Sequence, residues 1–218
     1  MLLINYTCSL GSLCASSNTL KRINYKVCSY PFDWTFTYYD YIIDCIKDDF
    51  KIYLDKSYYI TISENRCGHS KYSNNFFWHH NPLINEDHYN YYCRCVYRFK
   101  DLLQKTEHKL FIMTFVNSEY NSHCENFKQN IIEFNNKLSK YTSNYTLLVI
   151  IQYLTEQTTS HIFTYIDNIH FLQLYTVSKS NGTEFENNDE NNYLDNIIRL
   201  NYKFNHITPT ENKNETKT

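Results

Sequence analysis

Two buried-strand signals with an amphipathic helix between them constrain the fold of this chain more than any other feature. The mainly apolar segments 109–115 and 145–153 are typical of strands that are buried on both faces. The apolar residues between them recur at spacings of four, three and four, which predicts a helix over 122–140: Phe127, Ile131, Phe134 and Leu138. Ser122 and Glu125 fit a capping box at its start. This order favours a right-handed crossover in a parallel sheet.

The remaining segments extend the same pattern. Apolar residues at helical spacing predict helices over 40–54 and 92–104. The runs 162–166 and 171–177 are candidates for two further strands, with antiparallel strands expected at the edge. We therefore predict an α/β fold with a Rossmann-like layered sheet, mostly parallel, and flanking helices. A long irregular insertion, rich in His and aromatic residues, is expected over 57–92.

The length of 218 residues fits one domain of ordinary size. We predict a single α/β domain over 1–177, an acidic, Asn-rich linker over 178–192, a short terminal helix over 193–206 and a disordered tail over 207–218. The chain has no run of about 18 apolar residues, which a membrane-spanning helix would need. The opening Met1–Ile4 also lacks the basic flank of a secretory signal. An intracellular protein is therefore expected.

Composition and charge limit the partners that we expect. The chain has 21 basic and 23 acidic residues, so nothing favours nucleic acid or an anionic membrane as a partner. The 22 Tyr and 14 Phe against 3 Gly suggest an AT-rich genome and a viral or parasite source, and a viral source would place the protein in host cytoplasm. The eight cysteines are expected to be mostly reduced in that compartment.

Cys14 is the candidate nucleophile. The apolar opening Leu2–Ile4 predicts a short strand, Gly11 permits a sharp turn, and 15–21 can begin a helix directly after it. Cys14 would then lie at a helix N-terminus, where the dipole and unpaired backbone N–H groups favour a thiolate and an oxyanion. Gly11 and Ser12 would contact substrate there. The alternative is that Cys14 is a small apolar residue that packs a helix on the sheet.

Several short motifs in this region resemble one family. They are the run Ser9–Cys14, the helix end Leu20–Arg22, the sequence Pro31–Trp34, a His-containing segment and a later Arg-x-x-x-Arg-Phe. Together they resemble a family of domains of unknown function, described as papain-like cysteine peptidases, from bacteria and large DNA viruses. The resemblance covers roughly 1–175 and implies cysteine hydrolase chemistry. The strand and helix pattern nevertheless favours a layered sheet rather than the papain architecture.

A cysteine hydrolase needs a base beside the thiol and usually a third group that orients the base. The resemblance implies an aromatic-flanked His, a position that His79 or His80 can occupy, although Asn81 stands where an acidic residue is expected. We favour His80 as the base, with His79 as the substitute. Asp33 is assigned as an orienting or structural carboxylate, and Trp34 as a core residue or pocket wall. All of these residues also have plausible packing or solvated roles.

Two further groups of residues are weighed as binding sites. Arg94 and Arg98 match the basic helix of the family and lie one turn apart, a spacing suited to a carboxylate or phosphate or to a solvated face. Several Cys and His side chains between 67 and 95 are of the types that bind zinc: Cys67, His69, His79, His80, His88, Cys93 and Cys95. Their spacings match no familiar zinc motif, so we predict no metal.

The sequence lacks a Gly-rich phosphate loop, a Gly-x-Ser-x-Gly elbow and a His-Glu-x-x-His motif, which removes the usual support for nucleotide, serine-hydrolase and zincin chemistry. The first hypothesis is a cysteine-dependent hydrolase without a cofactor that cleaves a peptide or related acyl bond in a peptide or protein substrate. The second is a non-catalytic viral or host-interaction protein that binds a partner through 57–92. The third is a sugar- or nucleotide-sugar-using transferase. The oligomeric state is left open.

Overall fold

The computed structural model describes residues 1–118 and 124–205, which form an α/β fold. The strands are β1 (Leu2–Ile4), β2 (Tyr6–Ser9), β3 (Tyr59–Ser63), β4 (Arg66–His69), β5 (Ser73–Phe77), β6 (Lys109–Ser118), β7 (Tyr145–Leu154), β8 (Ser160–Ile166), β9 (Ile169–Thr176) and β10 (Tyr202–Phe204). The helices are α1 (Ala15–Arg22), α2 (Tyr39–Lys47), α3 (Glu86–Gln104), α4 (Cys124–Leu138) and α5 (Asn188–Asn201). No helix among the described residues is long and apolar enough to cross a membrane.

The central sheet has the strand order β2-β6-β7-β9-β8. Its first four strands are parallel, and β8 pairs antiparallel with β9 at the edge. The predicted α/β class with a mostly parallel sheet and an antiparallel edge strand is confirmed. The chain crosses this sheet in one direction, from β2 to β9, whereas the order of a doubly wound dinucleotide-binding sheet reverses beside its first strand. Elsewhere β1 pairs with β10, and β3, β4 and β5 form a small antiparallel sheet.

Side chains alternate between the two faces of the central sheet, as the two-residue period of a strand requires. Leu147 and Val149 of β7 join a core that also contains the inner faces of α2, α3 and α4. Leu148 and Ile150 join a second core, which contains residues of α1 and α5. The sheet therefore lies between two helical layers that bury both faces of β6 and β7, whereas the edge strand β8 is mostly exposed. This explains why β6 and β7 are continuous apolar runs.

Helix α2 ends at Lys47, earlier than the end at 54 that the sequence predicts. Asp49 and Phe50 have φ values of 59° and 60°, and the N–H of Phe50 donates to the carbonyl oxygen of Cys45 across the turn. The turn carries the Phe50 ring into an aromatic cluster with Phe32. The spacing of apolar residues alone does not show this helix end. A turn that buries an aromatic residue leaves the apolar residues at the same spacing as a continuing helix would.

The predicted insertion is more regular than its composition indicates. It contains the small sheet of β3, β4 and β5, and α3 begins at Glu86, six residues before the predicted start. The side chain of Asn85 caps α3 by accepting a hydrogen bond from the N–H of His88 at 3.2 Å. Buried aromatic rings of Tyr53, Phe77 and Tyr92 join the small sheet to α3. Aromatic packing therefore stabilises a segment that lacks a long apolar run.

The predicted linker is packed against the second core. Helix α5 begins at Asn188, within the segment assigned as linker, and Phe185 is buried. The carboxylate of Glu190 is 2 % exposed and accepts hydrogen bonds from the N–H groups of Val177 and Ser178 and from the hydroxyl of Thr159. Burial opposes its ionisation, but these bonds outweigh that effect and lower the pKa of Glu190. Ser122 and the predicted tail lie outside the described residues.

Candidate active site

Cys14 lies in the turn that joins the carboxyl end of β2 to α1, where it occupies the N-cap position of the helix. Gly11 has a φ of 82°, and a Cβ atom there would lie 3.1 Å from Cβ of Thr37. Glycine is therefore required by both backbone conformation and space. The predicted turn, helix and placement of Cys14 match this arrangement.

Two serine hydroxyls fix the turn to the neighbouring strand. Ser12 Oγ donates to the carbonyl oxygen of Thr114 at 2.6 Å. Ser16 Oγ hydrogen-bonds the carbonyl oxygen of Gly11 at 3.0 Å and the hydroxyl of Thr114 at 2.9 Å. Thr114 belongs to β6, so the backbone before the thiol is held by the central sheet. Gly11 is thus a buried part of the turn, whereas Ser12 is half-exposed.

His79 meets Cys14 across this turn. Its Nε2 atom lies 3.3 Å from Sγ of Cys14, within hydrogen-bond distance for sulfur. The imidazole follows the end of β5 and packs edge-on against the indole of Trp34, with ring centroids 6.1 Å apart. Trp34 is itself approached by the Lys26 ammonium, 5.6 Å from the ring centroid. The protein therefore brings together a thiol, an imidazole and an aromatic ring that supports the imidazole.

The neighbouring residue His80 points elsewhere. Its ring contacts those of His88 and Tyr91, each with centroids 4.8 Å apart, and its buried Nδ1 atom has no hydrogen-bond partner. The geometry therefore reverses the order in which the two histidines were favoured. The sequence does not distinguish them, because the orientation of each ring is set by contacts with distant segments, Trp34 for His79 and Tyr91 for His80.

The side chain of Asn81 hydrogen-bonds backbone groups of the loop instead of the imidazole of His79. Its side-chain amide donates to the carbonyl oxygens of Ser63 and Glu64, each at 3.1 Å, and its Oδ1 accepts from the N–H of Leu83. These bonds tie the segment after β5 to the turn between β3 and β4. Among residues 1–118 and 124–205, no side-chain carboxylate or amide hydrogen-bonds His79. Asn81 thus fixes the backbone of the segment that carries His79.

Asp33 is fully buried and serves the turn in which it lies. Its Oδ2 atom pairs with the Lys26 ammonium and accepts from the N–H of Tyr30 at 2.8 Å. Burial raises the pKa of Asp33, against the opposing effect of Lys26 and these hydrogen bonds. The carboxylate reaches Cys14 only through its field, which disfavours the thiolate. Its contacts correspond to the structural alternative of the sequence-based assignment.

Arg66 is a neighbour of the site that sequence reasoning missed. Its guanidinium lies 3.5 Å from the ring centroid of Trp78, the residue before His79, and that ring also packs against Phe36, with centroids 5.2 Å apart. Burial and, second, the charge of Arg66 lower the pKa of His79. An Arg in a polar hairpin carries no signal of such stacking, because its ring partner lies in another segment, after the end of β5.

Both reactive groups are neutral in the resting site. Burial raises the pKa of the Cys14 thiol to about 11, although its own backbone N–H favours the thiolate. The pKa of His79 is lowered below its ordinary value of about 6.5. At neutral pH the pair is therefore a thiol beside an uncharged imidazole, and the helix N-terminus does not offset the burial of the sulfur.

This leads to a prediction for the reactivity of Cys14 in the absence of substrate. The rate of its alkylation by iodoacetamide should rise with pH up to about 11, rather than level off near the ordinary thiol value of about 8.5, because only the thiolate reacts. Peptide mass mapping after timed quenches measures this rate. Cys14 alkylation that is already pH-independent at pH 7 would contradict the neutral pair.

The other predicted binding residues lie away from the pair. On α3, Arg94 is exposed and Arg98 is half-buried, and the charge of Arg98 acts on the thiols of Cys28 and Cys95. Within the described ranges, no group of three or more His, Cys, Asp or Glu side chains is arranged to hold a metal ion. The cysteines recorded as free in the same ranges are Cys8, Cys14, Cys28, Cys45, Cys67, Cys93 and Cys95.

The fold and the site define an α/β protein with a thiol–imidazole pair after the first strand of a parallel sheet. The family model described as "Putative papain-like cysteine peptidase" matches residues 5–161. The chain therefore belongs to this family, which confirms the resemblance drawn from its motifs. No curated protein and no solved structure matches the chain significantly.

Proposed function

We propose that this protein is a cysteine-dependent hydrolase that cleaves a peptide or related acyl bond, with Cys14 as nucleophile and His79 as base. The observation that carries the proposal is the 3.3 Å separation between Cys14 Sγ and His79 Nε2. It is the separation that direct proton transfer between the two atoms requires. Membership of a family described as cysteine peptidases supports the same reaction class.

The first half of the reaction follows from the neutral resting pair. Cys14 Sγ attacks the substrate carbonyl carbon while His79 Nε2 takes the thiol proton. The carbonyl π electrons move to oxygen, and the resulting oxyanion is stabilised by backbone N–H groups at the N-terminus of α1. The intermediate then collapses, the carbon–nitrogen bond breaks, and the leaving amine receives the proton from His79. A thioester on Cys14 remains.

Water completes the cycle. Neutral His79 removes a proton from the water that attacks the thioester carbonyl, and the second oxyanion forms at the same backbone N–H groups. Collapse of this intermediate breaks the carbon–sulfur bond, and the proton on His79 returns to the sulfur. Trp34 keeps the imidazole in place through both proton transfers, since its ring packs against that of His79.

The proposal is tested with a panel of N-acetyl amino acid p-nitrophenyl esters. We expect release of p-nitrophenolate beyond one equivalent, and a transient acyl group on the peptide that contains Cys14. The Cys14→Ser variant should lose both signals, whereas Cys93→Ser, at a half-buried cysteine on α3, should keep them. Acylation spread evenly over the cysteines, or unchanged in Cys14→Ser, would overturn the assignment.

A further inference from the structure

A cavity of about 410 Å³ lies beside the candidate catalytic pair, at the carboxyl ends of β6 and β7. Its walls come from the turn that carries Cys14, from the start of α2, from the ends of these two strands and from α4. Ligands of open α/β sheets commonly bind outside the carboxyl ends of the strands. The cavity is thus in the part of the fold where a substrate would be expected.

The cavity is connected to the pair through neighbouring residues. Leu13, which directly precedes Cys14, forms part of its wall. Phe36 forms another part and packs on Trp78, the residue before His79, with ring centroids 5.2 Å apart. A group that extends from a carbonyl carbon held at Cys14 therefore has this cavity beside the turn that carries the sulfur.

The side chains that line the cavity indicate which kind of chemical group it binds. Among residues 1–118 and 124–205, those that line the cavity include no charged side chain, and most of them are aromatic or aliphatic. The polar lining groups include the amides of Asn126 and Asn130, one turn apart on α4. A charged group would lose its hydration there without gaining an opposite charge, whereas an apolar group gains from the removal of its surface from water.

We infer that this cavity binds the bulky, uncharged aromatic or branched aliphatic side chain of the substrate residue whose carbonyl Cys14 attacks. The volume is at the lower end of the range of small-molecule pockets, so it holds one large side chain and its adjoining backbone rather than a long ligand. The inference rests on the proposed function, since it takes Cys14 as the site of acylation.

The first experiment compares acylation of Cys14 by N-acetyl p-nitrophenyl esters of Phe, Leu, Asp and Lys with that by p-nitrophenyl acetate, which has no side chain. We expect the Phe and Leu esters to react at least about tenfold faster than the Asp and Lys esters. Val116→Phe, which fills the cavity, should remove this preference. Val177→Phe, at an exposed position after β9, is the matched control.

A second variant keeps the test decisive if Val116→Phe folds poorly. Asn126 is exposed on α4 and lines the cavity, so Asn126→Lys should shift the preference toward the Asp ester. Gln129→Lys adds the same charge to the same helix at an exposed position and should not. Equal acylation of Cys14 by all the esters would overturn the inference.

Binding separates a failure of this inference from a failure of the proposed function. In Cys14→Ala, saturation-transfer NMR should detect N-acetyl-phenylalaninamide but not N-acetyl-lysinamide, and Val116→Phe in the same background should remove the signal. If no ester acylates Cys14 while this selective binding persists, the hydrolase assignment fails and the apolar site stands. Acylation without side-chain preference, and without binding, refutes the apolar site alone.

Discussion

Replacement of His79 by alanine is expected to slow acylation of Cys14 at pH 7.5 by about 10²–10⁴-fold, the usual contribution of a positioned general base. The resting thiol is neutral, so the attack requires a proton acceptor, and the imidazole is the group at 3.3 Å from the sulfur. His80→Ala is the matched control. It removes the adjacent imidazole, which packs against His88 and Tyr91, and should change the rate by no more than a few-fold.

The pH profile distinguishes a base from a structural role of His79. In the wild type, the acylation rate should rise with pH through the lowered pKa of His79, below about 6.5, because the neutral imidazole is the active form. In His79→Ala, the rate should instead keep rising toward pH 11, where Cys14 ionises without help, so the two proteins converge. A deficit that is constant with pH would show that His79 only supports the fold.

Replacement of Asp33 by alanine is expected to lower the free energy of unfolding by about 3–5 kcal/mol, because it leaves the Lys26 ammonium buried without its partner. The side chains of Lys26 and Asp33 are only 12 % and 1 % exposed, so solvent screens this pair little. The N–H of Tyr30 also loses its acceptor. Urea denaturation followed by circular dichroism measures the change, and a loss below about 1 kcal/mol would place the pair among ordinary surface contacts.

Two controls define the role of Asp33. Asp40→Ala removes an exposed carboxylate, 3.8 Å from Lys137, and should change stability by no more than about 1 kcal/mol. The double variant Lys26→Met, Asp33→Leu should recover part of the loss, since an apolar pair carries no desolvation cost. Under conditions where Asp33→Ala remains folded, it should keep most of the acylation rate. A rate as low as that of His79→Ala would make Asp33 an orienting residue instead.

Most of the central sheet could be predicted from the sequence because its strongest signals are local, whereas β2 was not predicted and the strand predicted at Leu2–Ile4 pairs with β10 instead. The runs in β6 and β7 and the spacing in α4 each fit one period of secondary structure. The small sheet of β3, β4 and β5 could not be predicted in this way. Its strands are short and polar at their outer positions, and the aromatic rings that stabilise it come from distant segments, such as Tyr53 and Tyr92.

The same distinction between local signals and contacts of distant segments applies to the candidate site. Cys14 could be placed because Gly11 and the helix that follows it are local signals, and the structure has the predicted turn. The distinction between His79 and His80 depends on how the segment after β5 packs against Trp34, which no local pattern reports. The contact of Arg66 with Trp78 joins β4 to the segment after β5 and was missed for the same reason.

The central sheet separates the supports of the two reactive groups. Cys14 begins α1, whose Leu20 belongs to the core shared with α5, whereas His79 follows β5, whose Phe77 belongs to the opposite core. The separation between sulfur and nitrogen is therefore a measure of how the two helical layers are aligned across the sheet. A displacement of one layer by about 1 Å would take the pair out of hydrogen-bond range while each layer stayed intact. Acylation of Cys14 would then be lost when the two layers become misaligned, before the protein unfolds.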